Sequence, residues 1–168
     1  MLKIEKASRE DMKQVAKIIR SSAEWYKPFV HPEDLTHHYV DDKWIKENFV
    51  KRNFYIAKKS DKEVGTISTQ FFGATAYLGY IYLDINHVGH GYGRSLIDHA
   101  KKLCLKMEDV KSMVLIAHPR AQWAIRAYEK YGFKKIMTNR EEILSFNNGF
   151  MKPYYEEGFH LYQYKLSS

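Results

Sequence analysis

Residues 2–7, LKIEKA, alternate apolar and polar positions and predict an opening β-strand. Ser8 with Asp11 three residues on carries the capping-box signature of a helix start, and Met12, Val15, Ile19 and Ala23 then recur on one helical face. From Trp25 to Val50 the pattern breaks up. This stretch is aromatic, rich in histidine and interrupted by Pro28 and Pro32, which predicts short helices joined by irregular chain, covering something beneath. NFYIAKK (53–59) and VGTISTQFF (64–72) read as two strands of a hairpin turned at Ser60, Asp61 and Lys62. A turn at Gly73 and Ala74 leads into AYLGYIYLDI (76–85), the most apolar and aromatic run so far, as expected of a central strand covered on both faces.

The next stretch, VGHGYGRSL (88–96), places Gly89, Gly91 and Gly93 two apart and runs at once into a helical pattern of Leu96, Ile97, Ala100, Leu103, Cys104 and Met107. SMVLIAH (112–118) reads as a buried strand. RAQWAIRAYEKYGF (120–133) reads as a helix with Ala124, Ala127, Tyr128 and Tyr131 on one side and Gly132 as its C-cap. KKIMT and FHLYQYKL read as closing strands, separated by EEILSFNNGFMKPYYEEG with a turn at Asn147, Asn148 and Gly149. No internal repeat, low-complexity tract or linker divides the chain, so residues 1–168 are expected to form a single domain.

Composition narrows the setting. The 168 residues carry 45% hydrophobic and 15% aromatic content, enough for one well-filled core. The formal charge of +7 and the sequence pI near 9.3 suit an anionic partner, whether nucleic acid, an acidic surface or a phosphorylated small molecule. Lysines and arginines are scattered in pairs with no basic tail, so nothing specifically prompts nucleic acid. The single cysteine excludes an intrachain disulfide and a Cys-based zinc site and suits a reducing compartment. The first residues lack an apolar signal region and no run of 18 apolar residues occurs, so a soluble, cytoplasmic protein with no membrane partner is expected.

A strand, a glycine-rich turn and a helix in that order aim backbone N–H groups and the positive helix end at one spot, which suits a pyrophosphate. Gly93 is followed by Arg94 and Ser95, so the Gly-Lys-[Ser/Thr] ending of a Walker A loop is absent. A dinucleotide-binding GxGxxG belongs to a first βαβ unit, whereas here the pattern is GxGxG after antiparallel hairpins. YIYLDINHVGHGYGRSLIDHA, followed after a buried strand by AIRAYEKYGF, resembles the GNAT superfamily of acyl-CoA N-acyltransferases. In that family the turn is usually written RGxGxG, and the later helix reads Asn-x-x-Ala-x-x-x-Tyr-x-x-x-Gly-Phe. The order of elements along nearly the whole chain matches too.

The resemblance implies an α/β fold with a mixed, twisted sheet of six or seven strands, about four flanking helices, and two central strands that splay apart after the fourth. It implies acetyl transfer from acetyl-CoA to a primary amine, by direct attack in a ternary complex, and leaves a homodimer open. Carried over by position, Gly89, His90, Gly91, Tyr92, Gly93 and Arg94 would cradle the CoA pyrophosphate. The backbone of Ile81, Tyr82 and Leu83 would pair with the pantetheine arm, and an N–H near Leu83 would polarise the thioester carbonyl. Tyr128 would protonate the departing thiolate. Two positions depart from the pattern: Val88 stands where Arg or Gln is usual, and Ala121 where Asn is usual, with Arg94, Arg120 and Arg126 as replacement charges.

Other residues carry weaker signals. Cys104 sits on the apolar stripe of the helix after the turn and reads as a small buried hydrophobe, not an acyl-carrying nucleophile. His31, His37, His38, His87 and His90 fall at no metal-binding spacing, so no metal is expected. The general base stays open among Glu24, Asp84, His87, His118 and Glu156, since Ile116 occupies the place where some relatives carry Glu. Tyr154, Tyr155 and Glu156 would border the acceptor, either as ligands for an amine or as ordinary hairpin residues. A CoA-binding protein without catalysis and a basic nucleic-acid-binding or ribosome-associated protein are the rival readings.

Overall fold

The computed structural model describes residues 1–34 and 40–166, and His37 and His38 lie outside them. Among the described residues, seven strands and five α-helices follow one another: β1 (Leu2–Lys6), α1 (Met12–Tyr26), α2 (Asp42–Lys51), β2 (Asn53–Lys59), β3 (Lys62–Phe72), β4 (Thr75–Leu83), α3 (Tyr92–Leu105), β5 (Ser112–Ala117), α4 (Gln122–Tyr131), β6 (Lys134–Met137), α5 (Arg140–Ser145) and β7 (His160–Lys165). They build one mixed sheet in the order β1-β2-β3-β4-β5-β7-β6. Every neighbouring pair is antiparallel except β4 with β5. This is the predicted α/β sheet, with α5 as a helix beyond the expected four. Among the described residues, no helix is long and apolar enough to cross a membrane.

Period-2 alternation puts Phe54 and Ile56 of β2 on one face of the sheet and Ala57 on the other. The first face packs under α1 and α2, where Met12, Val15, Ile19 and Trp44 close over Phe54 and Ile56. The second packs under α3, whose Leu96, Ile97, Ala100 and Cys104 meet Ile67, Ala76, Leu78, Met113 and Leu115. A third cluster joins Tyr77, Val114 and Leu161 to Ile143 of α5 and to Met151. Met107, expected on the α3 stripe, falls past the helix end and is exposed.

Local signals account for most of the boundaries. Ser8 and Asp11 exchange backbone-to-side-chain bonds of 2.8 and 3.2 Å, so the predicted capping box forms just ahead of α1. Helix α1 continues through Trp25, where the sequence predicted broken chain. Positive φ at Ser60 (51°) and Asp61 (64°) makes the β2–β3 connection a two-residue turn, and Lys62 already belongs to β3. The overlooked α5 begins at Asn139, whose side chain accepts from the N–H groups of Glu141 and Glu142.

Two irregularities in β4 open the sheet. Its pairing with β5 stops after Thr75↔Ser112, Ala76↔Met113 and Tyr77↔Val114, so the two strands separate beyond that point. Its pairing with β3 slips between Ser68↔Gly79 and Thr66↔Tyr82, so Tyr80 and Ile81 together oppose Ile67 in a β-bulge. Tyr80 sits there at φ 46°, a conformation uncommon for a bulky side chain. Only the first half of β4 is buried on both faces, and the second half borders open space.

His99, His118 and His160 are each held below the ordinary histidine pKa, in every case first by burial; neighbouring cations add to this, while Glu156 partly opposes it at His118. The folded state therefore binds fewer protons than the unfolded chain just below pH 6.5, and that stability, complete above 6.5, is lost as pH falls through the depressed values. The depressed carboxylates Glu5 and Asp11 act only at lower pH. Thermal melts should show Tm falling between pH 7.5 and 5.5. A flat Tm across that interval would mean that these rings titrate alike in both states.

Candidate active site

Gly89 (φ 90°) and Gly91 (φ 80°) both adopt conformations that favour glycine, and Gly91 is the N-cap residue of α3. No side chain caps this helix start, so the first N–H groups of α3 face outward with the positive end of the helix dipole. A Cβ added at either glycine would meet no atom within 4 Å. The turn is thus shaped by backbone conformation and by the open space in front of it, and packing plays no part.

That space is a cleft of about 500 Å3 running from the glycine turn along the second half of β4, between the end of α1 and α4. Of the residues singled out from sequence, Ile81, Tyr82, Leu83, Gly89, Gly91, Gly93, Arg94 and Tyr128 line it. His90 and Tyr92 do not: His90 is exposed and stacks on Tyr92 at 5.5 Å, while Tyr92 turns toward the core beneath α3. Of the replacement charges, Arg94 lines the cleft together with the unforeseen Lys130, but Arg120 and Arg126 do not. Val88 borders the cleft and is 51% exposed. Trp25 of α1 and Trp123 of α4 meet edge to face at 5.9 Å across its wall.

A second, smaller pocket of about 80 Å3 lies deeper between the splayed strands, lined by Arg52, Tyr80, His118, Ala121, Tyr154, Glu156 and Phe159 among others. It shares Ile81, Tyr82, Ala124 and Tyr128 with the outer cleft, so Tyr128 stands where the two spaces join. Tyr155 turns away into the cluster around Ile143 and Met151, and its hydroxyl accepts from Gly158 N–H at 3.3 Å. Cys104 is fully buried, and burial pushes its thiol up to about 11, which rules out a thiolate nucleophile there.

The base candidates separate by position. Glu156 and His118 line the inner pocket, whereas Glu24, Asp84 and His87 do not. Asp84 accepts from Asn86 N–H at 3.0 Å and caps the short turn 85–87. Nδ1 of His118 accepts from Arg120 N–H at 3.1 Å, which in the neutral ring places the proton on Nε2 and leaves no free lone pair. Glu156, a buried carboxylate, has only acceptor atoms when ionised.

The sequence profile of the acetyltransferase (GNAT) family matches residues 17–133. The chain belongs to this family. Solved structures share the fold over its full length. PaiA N-acetyltransferase from Thermoplasma acidophilum, in complex with coenzyme A, is 19% identical, with 98% of this chain and 99% of that one covered and a TM-score of 0.75. The ribosomal-protein-S18-alanine N-acetyltransferase from Escherichia coli is 18% identical over 100% of this chain and 96% of that one, at TM-score 0.71. N-acetylglutamate synthase from Neisseria gonorrhoeae, complexed with coenzyme A and N-acetyl-glutamate, is 12% identical, and this chain matches 36% of it at TM-score 0.73. A search of curated proteins by sequence finds no match. In this GNAT chain the inner pocket is the part that sequence reasoning reached least. Arg52 sits at a helix-to-strand joint and Tyr80 in a bulge, and neither position carries a pattern that marks it.

Proposed function

We propose that this GNAT protein transfers the acetyl group of acetyl-CoA to a primary amine by direct attack in a ternary complex. The observation that carries this is the pair of spaces joined at Tyr128, one ending at an uncapped helix start and the other at a buried carboxylate. Two of the solved structures sharing the fold contain coenzyme A, which supports the outer cleft as its place. The residues fit such a ligand. The N–H groups of the glycine turn and the Arg94 side chain suit a pyrophosphate, and the edge of β4 that β5 leaves open at Ile81–Leu83, where the Ser22 hydroxyl donates to the Leu83 carbonyl at 3.0 Å, suits an extended arm bearing amides. Backbone binding tolerates Val88 and Ala121, since neither replaces a main-chain donor.

Bound acetyl-CoA supplies the thioester carbonyl to be attacked and the thiolate that leaves. The protein's own task is to manage two protons. An amine with pKa ~10.4 is neutral in only about one molecule in a few thousand at pH 7, so a group in the inner pocket must take its proton. Glu156 fills that role, directly or through one water. Tyr128, at the junction, donates its hydroxyl proton to sulfur. The β4 bulge at Tyr80 and Ile81 interrupts the ladder beside this point and is the place for a main-chain donor to the carbonyl, slightly earlier than the Leu83 expected from sequence.

Thermal melts with CoA, NAD and ATP, and thiol release with acetyl-CoA and a panel of amines, test this reading. A ligand that binds only the native state at 100 times its Kd adds about 2.7 kcal/mol of stability. CoA should give such a shift and NAD and ATP should not. Binding without thiol release for any amine would favour a CoA-binding protein without catalysis.

A further inference from the structure

We propose that the acceptor amine also carries a carboxylate, and that Arg52 is the residue that binds it. This rests on reading the inner pocket as the acceptor site.

Arg52 directly follows α2 and is only 8% exposed, an expensive place for a guanidinium, which stays charged in any protein environment. Its Nε donates to Asn48 Oδ1 at 3.2 Å and its Nη1 to Ser68 Oγ at 3.4 Å. The rings of Tyr80 and Tyr154 lie 4.6 and 4.9 Å from the guanidinium carbon. These neutral groups fix the orientation of the fork without neutralising it. Among the described residues, no carboxylate oxygen comes within 4.0 Å of it.

The pocket has been shaped around this cation. A Cβ at Gly79 would stand 2.6 Å from Arg52 Nη1, so the missing side chain gives the guanidinium its room. Tyr80 is held at its unusual φ with its ring over the guanidinium, and Trp44 Nε1 donates to its hydroxyl at 3.1 Å, which keeps that ring in place. Arg52 and Glu156 line the same pocket. A cation and an anion set apart in one small cavity match a molecule bearing both an ammonium and a carboxylate. The planar fork of Arg52 takes the carboxylate, and Glu156 receives the amine. A polyamine would instead bring a second cation toward Arg52.

The test compares matched acceptors: phenylalanine, glutamate and lysine, each against its amide and its decarboxylated amine, with spermidine alongside, by kcat/KM for thiol release. The wild-type protein should favour the carboxylate forms by at least about 100-fold, because a site built around a polar group rejects analogues lacking it. Arg52→Gln should erase that preference mainly through KM, and Arg52→Lys should restore part of it. Gly79→Ala, which displaces the guanidinium and keeps its charge, should weaken the preference even if Arg52→Gln folds poorly. Equal use of the amides by the wild type, or a preference that survives Arg52→Gln, overturns the assignment. If no acceptor is turned over, acetyl transfer itself is in question. Melts of the CoA-loaded protein with the N-acetylated acids and their amides then decide about Arg52 alone. Stabilisation by the acids and not the amides supports it; equal effects, or none, overturn it.

Discussion

Tyr128→Phe is expected to lower kcat by about 10² to 10⁴ while leaving acetyl-CoA affinity nearly unchanged, the range typical of a lost general acid. The ring keeps its edge-to-face contact with Phe133 at 6.1 Å and its place in the helix, so only the hydroxyl is removed. Tyr131, which also lines the outer cleft, cannot take over. Its hydroxyl donates to Asp98 Oδ1 at 2.6 Å, and burial together with that carboxylate raises its pKa well above the ordinary tyrosine value. The pH profile separates a chemical role from a packing role. Wild-type turnover should fall at high pH, where Tyr128 loses its proton, and the variant should lack that limb. An unchanged kcat across the pH range with the best acceptor found would return Tyr128 to the core.

Gly91→Val should weaken CoA binding by about 10² to 10⁴, the cost of losing two or so main-chain hydrogen bonds to a charged group at about 1.5–3 kcal/mol each. The variant bears backbone strain at φ 80°, so its stability falls too. Gly93→Ala separates the two effects. Gly93 sits at ordinary φ in the first turn of α3, where an added Cβ would approach nothing closer than Leu83 Cδ1 at 4.0 Å. That exchange should raise stability by about 0.5–1 kcal/mol through the helix alone, yet weaken CoA binding because the methyl occupies the cleft. Calorimetric titration with CoA, alongside melts of the free proteins, checks both. Normal CoA affinity in a folded Gly91→Val would make the turn a purely structural device.

The sequence was most informative wherever a signal is local. Alternation in LKIEKA, the Ser8–Asp11 box, the glycine turn before an amphipathic helix and Gly132 after Tyr131 each depend on residues a few positions apart, and each formed where expected. Asn139 with Glu141 and Glu142 is an equally local start signal for α5, in a stretch where the pattern along the chain predicts only the turn at Asn147, Asn148 and Gly149. The outer cleft inherits this legibility, since one turn and the end of one strand supply most of its floor. The side chains of His90 and Tyr92 lie off the cleft, one exposed and the other packed toward the core beneath α3. A motif names consecutive positions without saying which side chains face the open space.

The inner pocket could only be decided by the tertiary structure. Arg52, His118 and the pair Tyr154 and Glu156 come from three separate parts of the chain and meet because β4 and β5 part after three paired residues. Nothing at Leu78 or Leu115 announces where that pairing stops, because it depends on packing between elements far apart in sequence. The bulge at Tyr80 and Ile81 is equally silent in sequence, because a strand's register is a property of two strands together. The chain's own alternation, capping and glycine spacing determined the order of its elements and the cradle at the start of α3. Long-range packing determined which buried charges share a cavity, because their separations are set by contacts between elements far apart in sequence.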